Sequence, residues 1–153
     1  MPEIDPKIRS FLEQTGSAAM VTLKKDGTPH AVRVGVTLVD GKLWSSGTRD
    51  RVRTKHLRRD PRATLFVFDP KNPANSSNYL GLETSVTILE GPEIPHMSIR
   101  MFRAMQGIDA DNPGDRKLNW FGQEMDDEAF AAKMVEEGRL IYEFEVNKSY
   151  GMY

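Results

Sequence analysis

Cysteine is absent from all 153 residues. That excludes disulfides, thiolate nucleophiles, iron–sulfur ligation and cysteine-type zinc sites, and it suits a reducing compartment, so a cytoplasmic location is expected. Charge of one sign is also lacking: 21 Lys plus Arg face 22 Asp plus Glu, for a net charge of -1. No whole-molecule field exists to hold a nucleic acid or an anionic membrane against physiological salt, and any basic function must be local. No apolar run approaches the roughly 20 residues needed to cross a bilayer, and the first seven residues contain no apolar signal core, so neither export nor membrane spanning is expected. Histidine is scarce: His30, His56 and His96 stand at no chelating spacing and no metal site is expected. Gly-x-Gly-x-x-Gly and Walker loops are missing, which argues against Rossmann and P-loop sites.

What is present reads as one domain over residues 1–153, a length that supports a single core. Ile8, Phe11 and Leu12 fall at helical spacing behind Asp5 as N-cap and Pro6 at the first helical position, predicting a helix that ends near Gly16. From Ala18 the period changes to two. Ala18–Leu23, His30–Val39 and Lys42–Ser46 read as three strands in a meander, joined by hairpins at Asp26-Gly27 and Asp40-Gly41, where the glycines supply the positive φ of tight turns. In the middle strand Val32, Val34, Val36 and Leu38 share one face, while Ala31, Arg33, Gly35 and Thr37 share the other. Asp50 is placed to cap a helix over Arg51–Arg59 that stops at Asp60-Pro61.

Strands follow at Ala63–Phe68 and Tyr79–Leu89, separated by the turn-forming run Asp69–Asn78. Helices are expected near Pro95–Met105 and Asp126–Glu137, the latter with acidic residues suited to its N-terminus, and a last strand at Leu140–Val146. At least five antiparallel strands joined mainly by hairpins favour a closed barrel, because closure removes exposed sheet edges.

The segment from Thr48 to Arg62 concentrates charge. Arg49, Arg51, Arg53, Lys55, Arg58, Arg59 and Arg62 are seven of the 21 cationic residues. Cations in a helix's first turn oppose its dipole by about 0.3–1 kcal/mol each. Arg51 and Arg53 are therefore either solvated or gathered around an anion, and a phosphate could accept from helix-start amides, from the Arg forks and from Thr48 or Thr54, with Lys55 one turn beyond Arg51. Arg33, a cation within an apolar strand, must face solvent, an acidic partner or a bound anion. Ser45-Ser46-Gly47-Thr48 lacks paired His or Asp and reads as strand-end hydrogen bonding.

Asp26-Gly-Thr-Pro-His30, Leu43-Trp-Ser-Ser46, the basic run 51–63 ending Asp60-Pro-Arg-Ala63, and the terminal Tyr150-Gly151 together resemble the pyridoxamine-phosphate-oxidase-like family, especially its flavin/deazaflavin oxidoreductase B branch. The resemblance runs from about residue 5 to the C-terminus. It implies a mainly β fold, a six-stranded antiparallel split β-barrel, and a homodimer with the cofactor at the dimer interface. It also implies FMN or coenzyme F420 as the ligand; Arg33, a cation that could meet the carboxylates of the F420 tail, turns the expectation to F420 as cofactor, with FMN as the alternative. By position, Arg51, Arg53, Thr54 and Lys55 would hold the phosphate with Thr48 close by. The ring would lie along Val32, Arg33 and Val34 and beside Ser45 and Ser46, and Tyr79 and Trp120 would come from the partner subunit. Trp120-Phe121 also reads as a packed aromatic pair, and Trp44 as core.

A cofactor that carries the chemistry explains why no side-chain triad is evident, and no catalytic residue is assigned. The expected function is hydride transfer from reduced deazaflavin to an electrophilic, conjugated small molecule. A flavin or deazaflavin carrier and a nucleic-acid module built on the basic helix are the alternatives, the latter opposed by the neutral chain.

Overall fold

The computed structural model describes residues 3–71 and 76–153, so the middle of the expected Asp69–Asn78 loop, residues 72–75, lies outside the described residues. In chain order the elements are α1 (Pro6–Gln14), β1 (Ser17–Leu23), β2 (Pro29–Gly35), β3 (Thr37–Val39), β4 (Lys42–Thr48), α2 (Val52–Arg59), β5 (Arg62–Val67), β6 (Tyr79–Leu89), α3 (Ile94–Met105), β7 (Leu118–Trp120), β8 (Gln123–Met125), α4 (Asp127–Glu136) and β9 (Arg139–Met152). The fold is mainly β, as expected.

Seven strands form one antiparallel sheet in the order β2-β1-β5-β6-β9-β4-β3. Its two outermost strands, β2 and β3, are separated in sequence by Val36 alone. Two residue steps span at most about 7 Å, so the sheet has to curl until its edges meet. The junction is pinned there, because Val36 N–H donates to the Gly16 carbonyl (2.9 Å) and the Ser45 hydroxyl donates to the Gly35 carbonyl (2.6 Å).

This corrects the expected three-stranded meander. The segment His30–Val39 is not one strand between its neighbours; it breaks at Val36, pairing first with β1 and then with β4. The break divides one predicted strand in two, and the sheet is thereby counted as seven segments. Alternation alone could not reveal it, because Val34 and Val36 are both buried on one face and the bend only shifts the pattern afterwards, to Val39.

The interior of the curl holds Met20, Leu43, Leu65, Val67, Leu80, Leu82, Leu140, Tyr142 and Phe144, all fully shielded from solvent. Each such side chain contributes about 1.5–3 kcal/mol of burial. Ile8, Phe11 and Leu12 of α1 close this core, and Asp5 caps the helix by accepting from Lys7 N–H at 2.8 Å. Trp44 faces outward from the sheet into a second apolar layer with Val39, Ile141, Ile94 and Met101 of α3.

A third cluster joins α3, α4 and the β7–β8 hairpin around Phe130, Met134 and Leu118. That hairpin was not anticipated from the sequence. Gln106 fastens it to the end of α3: its amide donates to the Asn119 carbonyl (2.8 Å) and its carbonyl accepts from Asn119 N–H (2.9 Å). β9 also runs six residues past the expected end at Val146, because its last part pairs with Tyr79–Glu83 beyond a bulge at Glu83/Thr84 and is largely exposed, which erases the alternation. Among the described residues no helix is long and apolar enough to cross a membrane.

Candidate functional site: a cationic cradle at the start of α2

The strand β4 delivers the chain to α2 through Thr48, Arg49 and Asp50. Asp50 does not cap the helix, correcting the sequence expectation. Arg51 occupies the N-cap position, in extended conformation and without a side-chain cap bond, and the first turn contains no acidic residue. The reason is local: Arg51 N–H donates to the Thr48 carbonyl (3.3 Å), and Thr54 N–H and Lys55 N–H donate to the Arg51 carbonyl (3.0 and 3.3 Å). The turn is thereby closed one residue later. α1 and α4, by contrast, start under aspartate caps, Asp126 accepting from Ala129 N–H at 2.8 Å in the second case.

Thr54 is fully buried. Its hydroxyl is committed to the Thr48 carbonyl (2.7 Å) and to the Tyr142 hydroxyl. This corrects the expectation that Thr54 offers its hydroxyl to a phosphate: it anchors the helix start to the sheet instead. Gly47 makes that anchor possible, since a Cβ at this position would fall inside the Tyr142 ring.

Arg53 lies over the same ring, its guanidinium carbon 5.8 Å from the Tyr142 centroid, with Nη2 at 3.5 Å from the Ser46 carbonyl. Its Nε is buried without a hydrogen-bond partner. Burial first, and then the charges of Arg51 and Arg139, pull its pKa below the ordinary arginine value against the opposing influence of Tyr142. Arg51 and Lys55 are exposed, and among the described residues no carboxylate forms a salt bridge with Arg51, Arg53 or Lys55. The other end of the basic run is structural. Arg58 pairs with Glu90 (2.6 Å) and Arg62 with Asp60 (2.8 Å), and Arg59 donates to the Leu23 carbonyl.

Arg139 was missed in the sequence because it stands far along the chain. It faces Thr48 across the β4–β9 ladder, donates from Nη1 to the Ser46 hydroxyl (3.4 Å) and is held by Glu137 (2.7 Å). Trp120 lies beneath it, 4.9 Å from the guanidinium carbon to the ring centroid, and is edge-on to Phe102, Phe121 and Phe130. Within its own chain, Trp120 therefore neighbours the cradle and packs as an aromatic. A signal that could have found it is Gly138, a glycine between the predicted helix and the last strand, which the structure holds at φ 62° just before β9 begins.

The remaining predicted residues are arranged away from α2. Ser45 is buried and bonded to Gly35, which links β4 to the end of β2. Val34 faces the core, Val32 is half-buried and Arg33 is exposed, with Nε at 3.3 Å from the Ser17 hydroxyl. Exposure removes the electrostatic argument for an anion beside Arg33. Two shallow hollows flank it, of about 320 and 260 Å³, the second floored by Ala18, Ala19 and Ala31 and walled by Phe68. A larger hollow, about 660 Å³, lies elsewhere, between α1 and the Asp40-Gly41 turn.

Tyr79 stacks on Phe66 (5.2 Å between centroids) and pairs with Met152. Arg139 and Met152 are the two ends of β9, so Tyr79, paired with Met152, stands at the opposite end of that strand from Arg139. His56, on α2, is turned inward: its Nδ1 lies 2.9 Å from the Thr22 hydroxyl and its ring 5.1 Å from that of His30. Among the described residues no three His, Asp or Glu side chains gather as a metal site.

The pyridoxamine 5'-phosphate oxidase family model matches residues 4–146. Among solved structures, the fold is similar to a conserved hypothetical protein of Mycobacterium tuberculosis (TM-score 0.69, 19% identity, 99% of this chain and 86% of that one). It is similar to an F420 reductase (TM-score 0.61, 19% identity, 98% of each chain), and also to a heme storage protein of Vibrio cholerae (TM-score 0.65, 10% identity, 99% and 96%). No curated protein matches the sequence. The family match over nearly the whole chain, with the curled antiparallel sheet beneath it, makes this chain a member of the pyridoxamine 5'-phosphate oxidase family.

Proposed function

We propose that the chain is an oxidoreductase that binds coenzyme F420, with FMN as the alternative, and delivers hydride to an electrophilic, conjugated small molecule. The observation that carries this reading is Arg53: a half-buried guanidinium with an orphaned Nε, beside Arg51 and Arg139, at a helix start that has no acidic cap. Such a group is costly unless an anion completes it. A phosphate fits, since it accepts from several donors at once and suits a helix N-terminus.

When bound, the flavin or deazaflavin ring supplies the hydride chemistry, and the protein supplies position and electrostatics. Arg53, Arg51 and Lys55 hold the phosphate, with Thr48 and Thr54 fixing the turn that presents them. The chain from Ser46 through Ser45 to Gly35 leads from the cradle toward Val34, Arg33 and Val32, where backbone groups and the hollows beside Arg33 receive the ring. Tyr79 serves the site of a second copy, with the cofactor between subunits of a cytoplasmic homodimer. The F420 reductase among the structural neighbours supports the deazaflavin over FMN.

A carrier without a substrate of its own is the second reading, favoured by one observation: His56, the imidazole of α2, is turned to Thr22 and His30 and not toward the cradle. Titrating the purified protein with F420 and with FMN, followed by fluorescence, tests the cofactor. Turnover with quinones, enones and nitroaromatics separates enzyme from carrier. Replacing Arg53 or Lys55 by Ala should weaken cofactor binding by about 1.5–3 kcal/mol, the range of charge-assisted hydrogen bonds, and unchanged affinity would refute the cradle.

A further inference from the structure

Arginines shielded from solvent in this fold are matched with carboxylates. Arg103 donates to both carboxylate oxygens of Asp127 (2.8 and 2.7 Å), Arg139 is held by Glu137, and Arg100 lies between Asp40 (3.0 Å) and Asp111 (3.2 Å). Arg53 is half-buried like Arg100 and Arg139, yet among the described residues no carboxylate forms a salt bridge with it. What it meets instead is neutral: the face of the Tyr142 ring and the Ser46 carbonyl.

The hydrogen bonds around that ring have a forced direction. A carbonyl can only accept, so the Thr54 hydroxyl gives its one proton to the Thr48 carbonyl (2.7 Å). At the contact between the two hydroxyls Thr54 is therefore the acceptor and Tyr142 the donor. The Tyr142 hydroxyl has no second proton to offer. Toward Arg53 it presents an aromatic face and oxygen lone pairs, which attract a cation without cancelling its charge.

The same packing fixes the position of the ring. Tyr142 is fully buried, in the space that a side chain at position 47 would need, and its hydroxyl ties it to Thr54 in the first turn of the helix that carries Arg53. A carboxylate in place of the phenol would clamp Arg53 more firmly, but it would also neutralise the charge that an incoming anion needs. The buried Nε of Arg53, which has no hydrogen-bond partner, fits a cation held in place but left unsatisfied.

We propose that Tyr142 is a positioning residue for phosphate recognition: through the ordered chain from Tyr142 to Thr54 to Thr48 it holds the Arg53 guanidinium by neutral contacts, so that the cradle keeps its charge for the ligand. This rests on the reading of the α2 start as a phosphate cradle and deepens it by naming the buried group that aims the arginine. Tyr142 acts through Arg53 and does not itself touch the ligand.

The test titrates the intact chain with inorganic phosphate and follows the heteronuclear NMR signal of the Arg53 Nε–H group, identified by its loss in Arg53→Lys. Tyr142→Phe keeps the ring and loses the hydroxyl. It should bind phosphate about tenfold more weakly, the scale of one hydrogen bond involving a charged group, and its preference for FMN over riboflavin should fall by the same factor with riboflavin affinity unchanged. Thr54→Val removes the acceptor while Tyr142 stays, and should reproduce the loss; Thr54→Ser keeps the hydroxyl and should restore binding. Unchanged phosphate affinity in Tyr142→Phe, with only the denaturant midpoint lowered, would reduce Tyr142 to packing and overturn the inference, as would full affinity in Thr54→Val. A wild type that binds phosphate at Arg53 without telling FMN from riboflavin, with both losses intact, overturns the flavin reading and supports the role of Tyr142. An Arg53 signal that phosphate leaves unmoved in wild type overturns both.

Discussion

Two tyrosines of β9 each lie against a glycine of a neighbouring strand, and they do so to different ends. Tyr142 fills the place of a Cβ at Gly47 and is fully buried, with its hydroxyl against Thr54 and Arg53 above its ring. Tyr150 fills the place of a Cβ at Gly81 but is 43% exposed, near the Tyr79–Met152 end of the sheet. The device is the same, an aromatic ring laid on a bare backbone. In the interior it cannot yield and so becomes the fixed floor of a cationic cradle. At the surface the ring stays half-exposed, beside the Tyr79 end of the sheet that the proposed reading gives to a second copy.

The largest expected effect comes from breaking the buried contact. Gly47→Ala drives a methyl into a ring that has no free space, so unfolding free energy should fall by about 3 kcal/mol, at the upper part of the overpacking range. A denaturant midpoint close to wild type would show that Tyr142 is free to move. Next is the other end of β9. If the Phe66–Tyr79 face is an interface between two copies, Tyr79→Ala should weaken association at least tenfold, seen by sedimentation across a dilution series, while leaving the monomer folded. Dissociation unchanged from wild type would remove Tyr79 from the interface.

Gly81→Ala sharpens the contrast directly. The clashing atoms belong to a half-exposed ring, so the loss should stay below about 1 kcal/mol, and a cost equal to that of Gly47→Ala would erase the distinction between the two contacts.

The smallest effect is a pH dependence from the inward face of α2, where His56 meets Thr22 and His30. Burial, then His30, Arg59 and Lys24, hold His56 below its ordinary value of 6.5. The unfolded chain therefore takes up a proton that the folded chain resists, so stability is full above about pH 6.5 and declines as pH falls toward the lowered folded value. Comparing urea midpoints at pH 7.5 and 5.5 in wild type and His56→Gln should show part of the acid loss disappear in the variant. Identical slopes would assign the loss to other groups.

Much of this fold was legible because local rules and tertiary packing agree. Asp5 and Pro6 start α1, Asp60-Pro61 ends α2, and Tyr79–Leu89 is a strand over its whole predicted length. The sequence pattern failed where a tertiary fact overrides a local one. The bend at Val36 exists because the sheet must meet itself, and the β7–β8 turn was hidden by a phenylalanine where Asn or Asp announces a hairpin. The cradle was half legible. Seven cations in one run drew attention to α2, but only the fold separates Arg53, Arg51 and Lys55 from the paired Arg58 and Arg62, turns Thr54 inward, and brings Arg139 beside Ser46.

The central claim is that the start of α2 recognises a phosphate through Arg53. The most direct measurement is the affinity of wild type and Arg53→Ala for FMN and for riboflavin, which lacks the phosphate. Wild type should prefer FMN by at least tenfold, and the two ligands should bind Arg53→Ala about equally. A wild type that does not distinguish them, or a variant that keeps the full preference, would contradict the account.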